Sequence, residues 1–197
     1  MKDKTLDKKE KVVDKRAALL EATLFLVNNN GFHDAPMAKI AKLAGVSPAT
    51  IYLYFENKQD LINQLYLKVK ASFSEHAFRN FDPSTPVKKG FEMIWYAIAR
   101  YKIKYPDEAM FLSQCDMTPM IDQESKQKGL VHLQPLLDLW LRGQEEGVIK
   151  EISPYLLYAY TIHPLSFLIM VHQQQQYMLS DQQLQDAFIL TWDGIKK

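Results

Sequence analysis

The sequence predicts an all-α protein of about nine helices: a small N-terminal unit of three helices containing a helix-turn-helix, then a larger helical domain. Three observations predict it. Apolar residues recur at three- and four-residue spacing along nearly the whole chain. No stretch alternates apolar and polar residues as a half-buried strand does. Helix-stopping and helix-starting residues punctuate the runs, among them Gly31, Pro36, Gly45, Pro48, Pro83, Pro86, Pro106, Pro119, Gly147 and Pro154. The 197 residues, 47% hydrophobic and 24% charged, have an ordinary globular composition and enough length for a core.

The first helix is expected from about Lys9 to Asn29, with a core stripe of Leu20, Leu24 and Val27 flanked by Leu19, Thr23 and Leu26. Asn29-Asn30-Gly31 stops it. Asp34-Ala35-Pro36 opens a short second helix through Ala44, with Pro36 in its first turn. Met37, Ile40, Ala41 and Ala44 share its inner face, and Lys39 and Lys42 point away. Gly45 ends it. Ser47 then caps a third helix, Pro48 takes its first position, and Val46 staples onto Ile51. A long helix follows from Lys58 to about Phe78, and Asp82 to Pro86 is the clearest break in the chain. Further helices are expected near 86–104, 106–114, 122–146, 154–177 and 181–195, with the glutamine tract Gln173 to Gln176 on a solvated helix end.

The third helix carries the chemistry. At 100° per residue, Ile51 and Phe55 lie within about 40° of each other and define its inward face. Leu53 points away from that face with Ala49 and Thr50 beside it, and Tyr52 and Tyr54 sit on the two flanks. An outward face that is nearly uncharged and edged by two phenols suits the major groove of DNA better than it suits water. Tyrosine hydroxyls can donate to phosphate oxygens. Ala49, Leu53 and the Thr50 methyl can meet thymine methyls, and the N-terminal N–H groups favour a phosphate.

The string IAKLAGVSPATIYLYFENKQDLI closely resembles the tetracycline-repressor (TetR) family of bacterial transcriptional regulators. Ile40-Ala41, Ala44-Gly45-Val46-Ser47, Thr50-Ile51-Tyr52, Tyr54-Phe55, Asn57-Lys58 and Asp60-Leu61 fall in the family's pattern, and Gly31-Phe32 matches the usual end of its first helix. The resemblance spans roughly residues 10–65. It implies an all-helical homodimer that binds a double-stranded DNA operator through an N-terminal domain, here 1–57. A C-terminal domain, here 58–197 with helix 58–78 connecting the two, would dimerise and bind a small-molecule effector. By position it implies DNA contacts at Ser47, Pro48, Ala49, Thr50, Tyr52, Leu53 and Tyr54, and a phosphate contact at Lys58. Where the family often has a hydroxyl residue this chain has Pro36, so backbone N–H groups at Met37 and Ala38 are expected to substitute.

Beyond residue 65 only physics remains. Phe91, Trp95, Ile98, Met110, Phe111, Cys115, Trp140, His163 and Phe167 are candidates to line a cavity for a small apolar or aromatic effector, whose binding would release a repressor from its palindromic operator. The alternative is a C-terminal domain that docks a protein partner. Residues 155–171 are apolar on nearly every face, and Leu184, Ala187, Phe188 and Thr191 form a second stripe. The helices near 154–177 and 181–195 are therefore the expected homodimer interface. The segment 155–171 is short for a membrane span and interrupted by Thr161, His163 and Pro164; a buried helix is expected and no membrane partner. The net charge of +1 argues for no particular partner, although residues 1–60 carry ten Lys/Arg against eight Asp/Glu, with Lys2, Lys4, Lys8, Lys9, Lys11, Lys15 and Arg16 the densest basic stretch. One cysteine and a charged N-terminus without an apolar segment fit the cytoplasm. Five histidines show no metal-ligand spacing and no nucleophile motif occurs, so no enzyme, catalytic residue, metal or cofactor is expected.

Overall fold

The computed structural model describes the backbone of residues 4–197 and the side chains of 15–197 except Met117. The basic residues Lys2, Lys4, Lys8, Lys9 and Lys11 lie outside the described side chains. The described residues form α1 (Lys4–Asn30), α2 (Met37–Leu43), α3 (Pro48–Ile51), α4 (Lys58–Phe78), α5 (Val87–Lys104), α6 (Pro106–Met117), α7 (Gln123–Leu130), α8 (Gln134–Glu145), α9 (Pro154–Thr161), α10 (His163–Gln173) and α11 (Asp181–Ile195). A single 3-10 turn, Val131–Leu133, joins α7 to α8. Among the described residues the only strand-like pairing is one antiparallel bridge, Ile149 to Lys196.

Two of the expected helices are each broken in two, and a proline explains both breaks. Pro135 sits in the first turn of α8 and Pro164 in that of α10. A proline lacks the N–H that would bond the carbonyl four residues earlier, and its ring crowds that carbonyl. With each broken pair counted once, the expected nine remain.

The chain divides into two compact units. The first comprises residues up to Val69 together with Met110–Gln127. Its core draws on Leu19, Leu20, Leu26 and Val27 of α1, Ile40, Ile51, Phe55 and Leu61, with Phe111 and Cys115 of α6. The expected stripe on α1 is wider than its three residues: Leu20 and Val27 are buried as expected, Leu19, Thr23 and Leu26 are buried with them, and Leu24 is half-buried. Thr23 satisfies its hydroxyl by donating to the Leu19 carbonyl at 2.6 Å. The Gln59 amide donates to the Met120 carbonyl at 2.7 Å, and Asn63 bonds the Asp122 carboxylate, tying the 110–127 segment to α4.

The second unit comprises Lys70–Ala109 and Lys128–Lys197. An aromatic cluster fills it: Phe91 packs on Trp140, Phe188 and Trp192 with ring centroids 6.0–6.5 Å apart. Trp95 donates its indole N–H to the Thr161 carbonyl at 3.0 Å. The last residues are tied in by Lys150 N–H to the Ile195 carbonyl at 2.9 Å and Lys197 N–H to the Val148 carbonyl at 3.0 Å. Gly143 marks the closest approach of α8 to its neighbours. A Cβ there would lie 2.6 Å from Ile149 Cδ1 and 2.8 Å from Val87 Cγ1, both of them buried side chains. Gly143→Ala is expected to destabilise the fold by about 1–3 kcal/mol through overpacking; urea unfolding measures it, and an unshifted midpoint would refute the close fit.

Two expectations for the last helices are corrected. Taken together, Pro154–Gln173 is long and apolar enough, by length and composition, to cross a membrane. It is not a buried helix: the unit covers Leu157, Thr161, Ile162, Leu165 and Ile169, but Tyr155 is 87% and Phe167 60% exposed. On α11 the stripe of Leu184, Ala187, Phe188 and Thr191 turns toward the unit's own core, with Phe188 buried, and the outward apolar residues are Ile189 and Leu190. The glutamine tract mostly follows α10, with Gln175 at φ 57° closing its C-terminus.

Candidate nucleic-acid interface

The turn between α2 and α3 is built from local signals. Ala44 is the C-cap of α2 and Gly45 follows at φ 70°, a conformation L side chains rarely adopt. Gly45 N–H bonds the Lys42 carbonyl at 3.2 Å and Val46 N–H the Ala41 carbonyl at 3.0 Å, the paired bonds of a Schellman motif. Ser47 caps α3, its Oγ accepting from Thr50 N–H at 3.2 Å and lying 2.8 Å from Thr50 Oγ1. Pro48 occupies the first helical position.

After Ile51 the coil tightens: Leu53 and Tyr54 N–H bond the carbonyls three residues back at 3.1 Å, and Phe55 N–H returns to Ile51 O at 3.1 Å. Ile51 and Phe55 are fully buried and Leu53 is 81% exposed. The sides of this short rod therefore point as its periodicity predicts. Ala49 is exposed beside Leu53, Thr50 is half-buried, and Tyr52 and Tyr54 lie on the flanks. Neither phenol hydroxyl has a partner among the described residues. Arg16 of α1 packs its guanidinium 5.7 Å above the Phe55 ring and donates to Gln64 Oε1 at 2.5 Å, bracing α3 from behind.

Pro36 is the N-cap of α2, not a residue of its first turn. Its carbonyl accepts from Lys39 and Ile40 N–H at 2.9 and 3.1 Å. The N–H groups of Met37 and Ala38 are the first two of the helix and have no intrahelical acceptor. Lys58, at the start of α4, turns back toward the loop between α1 and α2. Its ammonium donates to the His33 carbonyl at 3.2 Å and lies 4.5 Å from the Phe32 ring centroid. Burial lowers its pKa from the ordinary lysine value, and the Asp34 charge opposes that shift. An ammonium has three donors, so two remain for a phosphate.

The nine residues proposed to line an effector cavity divide between the two units. Met110, Phe111 and Cys115 belong to the first unit, and the others to the second. Phe91, Trp95, Ile98 and Trp140 are packed core, whereas His163, Phe167 and Met110 are exposed. A cavity of about 430 Å³ lies elsewhere, between the end of α4 and one side of α5. None of the nine lines it. Its α5 wall includes Lys89, Met93, Tyr96, Arg100 and Lys104. The signal that could have found it is their spacing of four, three, four and four residues, which puts them on one face of a helix.

Among the described residues no group of three or more His, Cys, Asp or Glu could hold a metal ion.

Comparison with known proteins agrees along the chain. Residues 19–65 match the family profile described as bacterial regulatory proteins, tetR family, and residues 86–196 match that of a tetracyclin repressor-like C-terminal domain. A solved TetR family transcription regulator from Marinobacter aquaeolei VT8 superposes with a TM-score of 0.89 at 26% identity, covering 96% of this chain and 99% of that one. An HTH-type transcriptional regulator of Haemophilus influenzae is 25% identical over 180 residues, 91% of this chain and 94% of its own. The fatty acid metabolism regulator protein of Bacillus subtilis is 32% identical over 76 residues, which is 39% of either chain.

Proposed function

This chain belongs to the tetR family of bacterial regulatory proteins and is a transcriptional regulator, not an enzyme; from that premise we propose that it is a cytoplasmic repressor. It would hold a pseudo-palindromic operator as a homodimer and release it when a small apolar or aromatic effector binds. Residues 1–57 read DNA in this proposal, and 58–197 dimerise and take the effector. The observation that carries it is the outward side of α3, where an exposed Leu53 stands between two phenols whose hydroxyls have no partner among the described residues.

In this reading α3 enters the major groove. Ala49, Thr50 and Leu53 meet base edges, and Tyr52 and Tyr54 donate to the phosphate walls. Ser47 and Pro48 hold the helix start against the backbone, while Met37 and Ala38 N–H and the Lys58 ammonium take neighbouring phosphates. Tyr54→Phe should weaken binding to every DNA sequence alike, by about 0.5–1.5 kcal/mol for one lost hydrogen bond. Leu53→Lys should instead alter base preference at one position of each half-site. Unchanged binding and preference in Leu53→Lys would mean that α3 does not face DNA.

Selection from a random DNA pool, with and without cell extract, tests the whole proposal. The expected product is a two-fold-related site whose half-site centres lie about 34–36 Å apart, or a multiple of that. Sites without two-fold symmetry would oppose it. A second reading, a C-terminal domain that docks a protein partner in place of a small ligand, is favoured by one observation: the aromatic cluster of the second unit is packed ring on ring. Release of DNA by a protein fraction of the extract, and not by its small molecules, would support it.

A further inference from the structure

The groove between α4 and α5 has a charge pattern that the fold does not require. Four cations line it, Arg79, Lys89, Arg100 and Lys104, against one acid, Glu92. Two are already neutralised: Lys89 pairs with Glu92 at 2.9 Å and Arg79 with Glu75 at 2.6 Å. Arg100 has no acidic partner among the described residues. Among the described residues Lys104 has only the Tyr105 ring, 5.1 Å from its ammonium. These two unneutralised cations stand four residues apart on one face of α5, where like charges repel across a single turn.

The groove floor beside them is rigid. Tyr105 O–H bonds His76 Nε2 at 3.1 Å, the His76 Nδ1–H donates to the Ser72 carbonyl at 2.7 Å, and Tyr101 O–H donates to Glu108 at 2.5 Å. Between the Arg100–Lys104 end and the Lys89–Glu92 pair the lining includes Met93, Ala97, Phe81 and Tyr96. The face from Lys89 to Lys104 is about 22 Å long at 1.5 Å per residue. A slot with a guanidinium and an ammonium that have no acidic partner among the described residues, and with Met93, Tyr96 and Phe81 beside them, matches an amphipathic anion. The planar guanidinium can take a carboxylate, sulfonate or phosphate by two parallel hydrogen bonds, and about 430 Å³ lies within the range of small-molecule sites.

We propose that this groove binds a small organic anion, its acid group held by Arg100 and Lys104 and its apolar body lying along Tyr96, Met93 and Phe81. The site rests on the effector reading above only for its consequence. Such a ligand would bear on the last turn of α4, the helix whose first residue is Lys58.

The probes are 8-anilinonaphthalene-1-sulfonate and its neutral counterpart N-phenyl-1-naphthylamine, titrated by fluorescence into the full-length protein. The anionic probe is expected to bind saturably, and about tenfold more tightly than the neutral one. Arg100→Gln and Lys104→Gln should each weaken the anion about tenfold and leave the neutral probe unchanged. Both positions are exposed, so circular dichroism should show an intact fold; Lys39→Gln on α2 is the control and should change neither. Equal binding of the two probes, or anion binding indifferent to Arg100→Gln and Lys104→Gln, overturns the assignment. DNA binding is read on the same samples. Unaltered protein that binds both probes equally yet binds DNA overturns this site alone. Selective anion binding without any DNA binding overturns the regulator reading and leaves the site standing.

Discussion

Replacing Phe167 and Leu190 together with Asp is expected to turn the protein into a monomer and to lower its affinity for a two-half-site DNA by about 100- to 10,000-fold. The physical case starts from exposure. Phe167 and Leu190 are 60% and 74% exposed, and Tyr155, Leu156, Tyr160, Met170 and Ile189 of the same three helices are exposed with them. Exposed apolar surface of this kind is what a proposed homodimer interface would bury, at about 25 cal/mol per Å². A two-fold contact presents each substitution twice, so two changes place four carboxylates in one interface. Desolvating each would cost several kcal/mol, more than the surrounding apolar contacts offset. The loss on DNA follows from tethering: two linked readers gain about 10²–10⁴ over one, and a monomer forfeits that factor while its affinity for a single half-site stays the same. Sedimentation equilibrium and binding to full and half sites measure both parts. A double variant that still sediments as a dimer would place the interface elsewhere.

Phe55→Ala is expected to cost the first unit about 3–5 kcal/mol, the usual price of emptying a buried aromatic site, and to abolish DNA binding. Phe55 is buried beneath the Arg16 guanidinium and closes the i→i−4 turn to Ile51 that ends the α3 rod. Without the ring, α3 loses one of its two inward anchors, and the guanidinium loses the aromatic face it stacks on. A typical domain has only about 5–15 kcal/mol in total. The Phe91, Trp140, Phe188 and Trp192 cluster of the second unit is untouched, so hydrogen exchange should rise across α1 to α3 while that cluster stays protected. Leu53→Ala, two residues away but facing outward, should change stability by no more than about 0.5 kcal/mol. If the two variants destabilised equally, the orientation of α3 would be wrong.

The two residues differ in a way the sequence alone made plain, because the signals that orient α3 are short-range. A glycine in the left-handed region, a serine cap, a proline at the first helical position and a hydrophobic staple act within about ten residues of one another, and no distant segment competes with them. The apolar stripe of α1 was harder. Leucines at 19, 20, 24 and 26 cover so wide an arc that neighbouring helices choose which of them go inside, and they choose Leu19 and Leu26 over Leu24. Pro135 and Pro164 stood in plain view, yet the apolar periodicity on both sides of each ran on and concealed the break.

The effector candidates were beyond sequence for a different reason. An aromatic side chain has the same spacing and hydropathy whether it fills a core or lines a cavity; Phe91 and Trp95 went to core because Phe188 and Trp192, about a hundred residues after Phe91, come back to cover them, and Trp140 packs against Phe91. The opposite side of α5 reads as ordinary solvated surface until the end of α4 lies beside it and makes a groove. The chain alone therefore determined the helical class, the turn before α3 and the direction in which α3 points, since each depends on backbone preferences and contacts within a few turns. Which apolar faces are covered, which are left for a partner, and where a cavity remains were decided only by tertiary structure, because those depend on segments far apart in the chain competing for the same surface.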